Sequence, residues 1–485
     1  MRNVSKEIFL NALVCPTLGW LMRAEQTAEE IIERTPSLAE RFRMEQGIEI
    51  GIRSRELYPD GILVRGMDLS SALEKTRSLM NDSNISVIFE GTFLIDGFAT
   101  KADILKRKGS GWYLIEVKSD MNDKEEFIDD MAYTAMVIYR SGFNISNASL
   151  LLISRDFRLG MENEELFVEI DHTGEVLDRI EVFKPFWEPI EKITEESVKP
   201  EAELLFECRK CELFQECLGR DIENHIFDIP RLTQSKFDRL VELDVVCIED
   251  IADGFPLTEN QARVKNCVQT KTPFVGDGLK GELGSISWPA YYLDFETVMT
   301  AIPLYPNIAP YTQLPTQYSI HKCSDIGLVS DHREYLADPS KDCRKELAEN
   351  LINDIKGEGS IIIYSGFEKR VIKSLGELYS DLAKELNSLT DRMIDLQAII
   401  SRNFYHHDLH GSNSLKVTLP VLLPDMSYDD LEIIEGDSAS AAFAYLALGK
   451  YKAGEAEKVK RNLLEYCERD TLAIVKLHQR LVEYV

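Results

Sequence analysis

The chain reads as an α/β protein with two domain-sized halves joined by a helical connector, and three observations predict this. Residues 98–107 and 112–119 are apolar-rich runs around a glycine-bearing turn, which predicts a β-hairpin. Residues 290–297, Ala-Tyr-Tyr-Leu-Asp-Phe-Glu-Thr, alternate with period two, as a strand does. Residues 463–477 carry apolar groups at helical spacing. At 485 residues the chain has room for two or three cores.

Composition narrows the classes of function. A net charge of −28 argues against a protein that coats nucleic acid through a broad basic surface. Local contact stays open, because Lys101, Lys106, Arg107 and Lys108 form a small basic patch. No run approaches the roughly 18 apolar residues needed to span a bilayer, and the Met1-Arg-Asn-Val start lacks a secretory core. A cytoplasmic location and no membrane partner are expected. Nine cysteines, an odd number, point to reduced thiols or metal ligands.

The hairpin carries the first constellation. With a turn centred on Gly109 and Ser110, antiparallel pairing sets Asp103 directly opposite Glu116, side chains on one face. In Glu116-Val117-Lys118 the lysine shares that face. Two opposed carboxylates repel unless a cation lies between them, and a nearby lysine can position water; the pattern points to hydrolytic metal chemistry with Mg²⁺ or Mn²⁺. An exposed face of mixed charge is the plainer alternative.

Cys208, Cys211 and Cys217 stand as a C-x2-C-x5-C trio, and Cys15 sits alone near the N-terminus. Three thiolates in one loop plus a distant fourth suit an iron–sulfur cluster better than a two-knuckle zinc site. Cys247, Cys267, Cys323, Cys343 and Cys467 lack ligand spacing and read as structural.

Taken in order, a cysteine after the Ser5-Lys-Glu-Ile-Phe-Leu helix start, the Asp103…Glu116-x-Lys118 hairpin and the closing cysteine trio resemble the RecB-type PD-(D/E)xK nucleases with an iron–sulfur motif. The resemblance covers about residues 1–225. It implies a restriction-endonuclease-like fold, a mixed sheet flanked by helices, with a 4Fe-4S cluster held by Cys15, Cys208, Cys211 and Cys217. Asp103 and Glu116 would hold metal, Lys118 would position water or stabilise charge, and Glu90, or else Glu49, would add a carboxylate. The sequence departs from the pattern at Gly47-Ile-Glu-Ile-Gly51, which lacks the family's histidine. Tyr133 is the best match on the following helix.

Residues 226–285 read as the connector. Short helices with capping threonines fill 231–268, and the glycines of 271–285 predict a flexible linker.

In the second half, from 286 to 485, strand geometry puts Asp294 and Glu296 on one face. Asp470 lies on or beside the apolar stripe of the last helix, an expensive place for an unpaired charge, and Tyr466 is one turn before it. Asp294-Phe-Glu296 with Tyr466-x3-Asp470 resembles the tyrosine subclass of the DEDD exonucleases, which have an RNase H-like mixed sheet and use two metals. The resemblance implies metal ligation by Asp294, Glu296 and Asp470, with Tyr466 orienting the nucleophile. The intermediate acidic position falls at Glu368, which also fits a Ser365-x-x-Glu368 capping box; Asp395 is in reserve. Asp-Phe-Glu-Thr, Ser414-Leu-Lys416 and Tyr466-Cys-x-x-Asp-Thr-Leu-Ala together resemble an uncharacterised bacterial family of fused nuclease domains. His406, His407 and His410 read as a polar loop.

The resulting expectation is a two-headed nuclease acting on nucleic acid, DNA before RNA, and exonucleolytic. A protein partner in repair or defence is a further expectation. The rival is a nucleic-acid-binding or assembly subunit with one or both heads inactive.

Overall fold

Two mixed sheets organise the chain, each in its own unit, in a computed structural model that describes residues 3–25, 36–109 and 111–485. The first unit comprises the residues up to Glu207 together with Thr300–Thr312; the second comprises Cys208–Met299 and Gln313–Val485. The cysteine trio and the connector both belong to the second unit, and a short stretch after the 290–298 strand returns to the first.

The sheet of the first unit has six strands in sequence order: β1 (Ile62–Leu63), β2 (Val87–Ile95), β3 (Phe98–Lys108), β4 (Gly111–Val117), β5 (Ile145–Ile153) and β6 (Phe167–Asp171). β1 runs parallel to β2 and β4 to β5; the other neighbours are antiparallel. β2 to β4 form because β-branched and aromatic residues alternate there between two buried faces. The helices Lys6–Val14 and Glu125–Arg140 pack their apolar sides onto one face, in a core that includes Phe9, Phe98, Tyr133 and Trp187. Ser5 caps the first of these helices, its hydroxyl accepting from the Ile8 amide at 3.3 Å.

The second unit holds β7 (Phe274–Val275), β8 (Ala290–Val298), β9 (Leu314–Asp325), β10 (Leu328–Leu336), β11 (Ile361–Ile363), β12 (Met393–Asp395) and β13 (Phe404–Tyr405). Its main sheet has the order β10-β9-β8-β11-β12. The first three are antiparallel, whereas β11 and β12 run parallel to β8. The helix Ala453–Val482 lies across one face, burying Leu463, Cys467, Ile474 and Leu477. Ile361, Leu347, Ile372 and Leu386 pack in a core cluster with the inward residues of β8 and β9.

The segment expected to be a flexible linker is ordered. Residues Gly278–Gly284 form a helix whose Leu279 and Leu283 enter the same apolar cluster as Tyr292 and Leu477. Burial of two leucines outweighs the entropy that its glycines cost, a tertiary effect that glycine counting misses. The capping threonine at 258 behaves as expected, forming a full capping box with Gln261. No described helix is long and apolar enough to cross a membrane.

Candidate functional sites

In the first unit, β3 pairs with β4 in the register Ile104↔Ile115 to Lys108↔Gly111. The turn residue Ser110 lies outside the described residues. One step further along this register sits the Asp103/Glu116 pair. Asp103 does not point straight across: its Oδ2 accepts from the Val117 amide at 2.8 Å. Glu116 is buried, and its Oε1 receives Lys6 Nζ at 2.9 Å and Lys118 Nζ at 3.1 Å. Asp130, from the helix Glu125–Arg140, pairs with Lys118 and lies 3.3 Å from Lys6. Lys6 escaped the sequence reading because nothing local marks it; the helix Lys6–Val14 delivers it from about 110 residues away.

These contacts separate the two carboxyls. Burial, reinforced by the charge of Glu116, pushes Asp103 up to about 7. Burial acts on Glu116 in the same direction, yet Lys6 and Lys118 outweigh it and hold that carboxyl below the usual range. Glu116 Oε2 is buried without a hydrogen-bond partner. Asp103, Lys118, Glu90 and Lys101 line a cleft of about 470 Å³ whose far wall includes Gly47 and Gly51 of the helix Leu38–Glu56. Glu90 has a positive φ of 54° and lies 3.4 Å from Arg55 and 3.8 Å from Lys101.

Other candidate positions in this unit make contacts of their own. Glu49 pairs with Arg53 at 2.8 Å on its own helix. Tyr133 is fully buried and donates to the carbonyls of Val4 and Ala99 at 2.7 and 3.1 Å. Arg107 is spent on the carbonyls of Ile85, Met80 and Asp82, so the expected basic patch loses its guanidinium.

In the second unit, β8 and the helix Ala453–Val482 bring Asp294, Glu296 and Asp470 together, with one carboxylate oxygen from each within 4.8 Å of the others. Asp470 is buried and receives the Tyr428 hydroxyl at Oδ1; Tyr466 also interacts with it. Lys416 Nζ lies 5.8 and 5.6 Å from the rings of Tyr428 and Tyr466 and donates to the Ile434 carbonyl at 2.8 Å. The helix Gly436–Ala447 starts against the site: a Cβ at Gly436 would stand 3.7 Å from Glu296 Oε2 and 4.0 Å from the Tyr466 hydroxyl. Cys467, read from sequence as merely structural, donates its thiol to Asp294 Oδ2 at 3.8 Å.

Glu368 does not form the expected capping box. The helix Phe367–Leu378 has Gly366 at its N-cap with no side-chain cap, while Ser365 accepts from the Phe367 amide. Glu368 is instead buried, in carboxyl–carboxyl contact with Asp294, and its Oε2 has no hydrogen-bond partner. Asp395 caps the helix Leu396–Asn403, accepting from the Ala398 amide at 2.9 Å.

Electrostatics mark this cluster as short of positive charge. Burial first, then the charges of Asp470, Glu368 and Glu296, raise Asp294 far above the carboxylate range; burial and Asp470 do the same to Glu296. Burial brings Asp470 to about 6 and Glu368 to about 7. Two buried carboxyls, Glu368 and Asp470, and two half-buried ones, Asp294 and Glu296, with Lys416 and Arg370 as the cations acting on them, fit a hard divalent cation held by oxygen ligands. The first unit fits one less well, since two lysines already neutralise Glu116.

None of the described cysteines is joined in a disulfide. Cys15 belongs to the first unit, where its sulfur accepts from the Leu18 amide at 3.4 Å. Cys208, Cys211 and Cys217 follow one another through short turns of the second unit, Cys211 N–H donating to the Cys208 carbonyl at 3.2 Å. Of the loop histidines, His406 and His407 converge with Asp408, whereas His410 bonds Asp228 at 3.0 Å.

A family model described as a domain of unknown function, DUF2779, matches residues 291–414. That match contains Asp294, Glu296 and Glu368 and ends before Tyr466 and Asp470. The chain is 24% identical over 224 residues to the uncharacterised protein MG366 of Mycoplasma genitalium, covering 42% of this chain and 33% of that protein. It is 22% identical over 300 residues to the MG366 homologue of Mycoplasma pneumoniae, covering 52% of this chain and 43% of the relative. The chain thus spans less than half the length of each.

Proposed function

We propose that this protein is a metal-dependent nuclease whose principal active centre is the cluster Asp294, Glu296, Glu368 and Asp470. One observation carries the reading: three of these carboxylates converge on one small volume although burial makes their shared charge costly. Selection for stability alone would not gather them. The five-stranded sheet, with its carboxylates on the central strand and the crossing helix, supports the RNase H-like DEDD reading. Magnesium or manganese at these oxygens would supply an activated water and neutralise charge on the phosphodiester.

The side chains have distinct tasks in this reading. Asp294, Glu296, Glu368 and Asp470 hold the ions. Tyr466 orients the attacking water, and Tyr428 fixes Asp470. Lys416 lies where it can attract phosphate. The substrate is a nucleic acid, DNA in preference to RNA, cleaved from an end.

The first unit supports a weaker second reading. Its Asp103 and Lys118 line one cleft, and Glu116 lies 3.1 Å from Lys118 beside it, the residue types that a PD-(D/E)xK site requires. Lys6 and Lys118 both engage Glu116 Oε1, which favours a head that binds nucleic acid without cutting it. The cysteine trio offers the donors of an iron–sulfur cluster; iron and sulfide analysis of anaerobically purified protein tests that.

The decisive experiment is digestion of 5′- and 3′-labelled single-stranded DNA and RNA with Mn²⁺ by wild type, Asp294→Ala, Lys118→Ala and the double variant. Loss of cleavage in Asp294→Ala supports the proposal. Cleavage that survives Asp294→Ala and disappears in Lys118→Ala reassigns the activity to the first unit. No cleavage by wild type favours the binding-subunit reading.

A further inference from the structure

Beyond the carboxylate cluster, the same sheet face carries a second group of ligating side chains. His321 on β9 and His332 on β10 are direct cross-strand partners, with ring centroids 4.5 Å apart and planes inclined by 34°. Glu468 reaches the pair from the helix Ala453–Val482, its Oε1 3.9 Å from His332 Nδ1. One ligand atom from each of the three lies within 4.8 Å of the others.

The hydrogen bonds behind the rings are what distinguish this group from an ordinary polar core. Ser319 Oγ bonds His332 Nε2 at 2.9 Å, Thr471 Oγ1 bonds His321 Nδ1 at 2.8 Å, and the two hydroxyls bond each other at 2.8 Å. One nitrogen of each ring is thus fixed by a hydroxyl, which orients the ring and leaves the opposite nitrogen for an ion. Ligating histidines are held in the same manner by outer partners. Two imidazoles and one carboxylate suit zinc and its first-row neighbours better than magnesium or calcium.

We propose that His321, His332 and Glu468 bind a transition-metal ion of the zinc class at a site separate from the carboxylate cluster. The ion would join the edge pair β9 and β10 to the C-terminal helix. Asp470 lies two residues beyond Glu468 on that helix, so the site would brace the element that delivers it. The metal site stands whether or not the carboxylates cut nucleic acid.

The test is Zn²⁺ titration of the full chain against a chromogenic chelator, with saturating Mg²⁺ present to occupy hard oxygen sites. Wild type is compared with His332→Gln and Glu468→Gln. Both positions are partly exposed, with side-chain exposures of 24% and 47%, so the variants should fold; matching metal-free melting curves check this. The expected result is one zinc equivalent fewer in His332→Gln and about tenfold or more weaker binding in Glu468→Gln. Wild-type stoichiometry and affinity in both variants would overturn the proposal. Cobalt gives an independent readout. The wild-type minus His332→Gln difference spectrum should contain d–d bands without thiolate charge transfer, and a thiolate band there would overturn it too.

Discussion

The Tyr428 hydroxyl donates to Asp470 Oδ1, tying a loop residue to the one cluster carboxylate that comes from the C-terminal helix. Tyr466 stands one helical turn before Asp470, 6.0 Å from Tyr428 ring to ring. The two phenols therefore separate into an anchor and a water-positioning group. Tyr428→Phe should lower Mn²⁺ affinity or turnover by about 10- to 100-fold, the usual effect of losing an outer partner. Tyr466→Phe should cut turnover by about 10²-fold or more with Mn²⁺ affinity nearly unchanged. Steady-state cleavage at varied Mn²⁺ separates these outcomes; equal effects on both constants in both variants would contradict the division of roles.

Asp294→Ala and Asp470→Ala should each reduce cleavage by about 10³-fold. A metal's charge stabilisation is worth several kcal/mol, and each ~1.4 kcal/mol is tenfold in rate. Retention of more than a tenth of wild-type activity in either variant would rule the cluster out as the active centre.

Glu368 provides the pH test. Its carboxyl is raised by burial from an ordinary 4.5 to about 7. A raised acid binds more protons folded than unfolded, so its favourable contribution is complete below about pH 4.5 and is lost as pH rises through about 7. In metal-free protein, Glu368→Gln should therefore melt at a higher temperature than wild type at pH 8, with a smaller difference at pH 4.5. The same variant should lose Mn²⁺-dependent cleavage. Thermal shift in EDTA at both pH values gives the comparison, and a variant less stable than wild type at pH 8 would contradict it.

Divalent metal should stabilise the wild type for the same reason. Occupancy at 100 times Kd adds about 2.7 kcal/mol to folding stability. The Mn²⁺-induced rise in melting temperature should disappear in an Asp294→Asn, Asp470→Asn double variant. An undiminished rise in that variant would place the ion elsewhere.

Lys6 and Lys118 share Glu116 Oε1 but differ in setting. Lys118 lines the cleft, whereas Lys6 comes from the N-terminal helix. Lys6→Ala leaves a buried carboxylate with a single partner, so it should cost about 1–3 kcal/mol of stability. Lys118→Ala should abolish any cleavage that survives Asp294→Ala. Chemical denaturation of the first alanine variant, and residual activity of the Asp294→Ala, Lys118→Ala double variant, measure the two effects.

Local geometry was legible in the chain alone: which residues pair across the hairpin, that Asp294 and Glu296 share a face, and that Tyr466 and Asp470 lie on one side of a helix. Those relations follow from the periods of strand and helix, which operate over a few residues. Several details depended instead on chain segments far apart in sequence. Burial of Leu279 and Leu283 turned a glycine-rich stretch into a helix. Glu368 went to Asp294 because Gly366, not Ser365, took the N-cap position, and Asp395 became a cap instead of a ligand. Lys6 joined Glu116, and His321, His332 and Glu468 met across two strands and a helix. Such contacts are set by packing of distant elements against one another, and no local spacing in the chain encodes them.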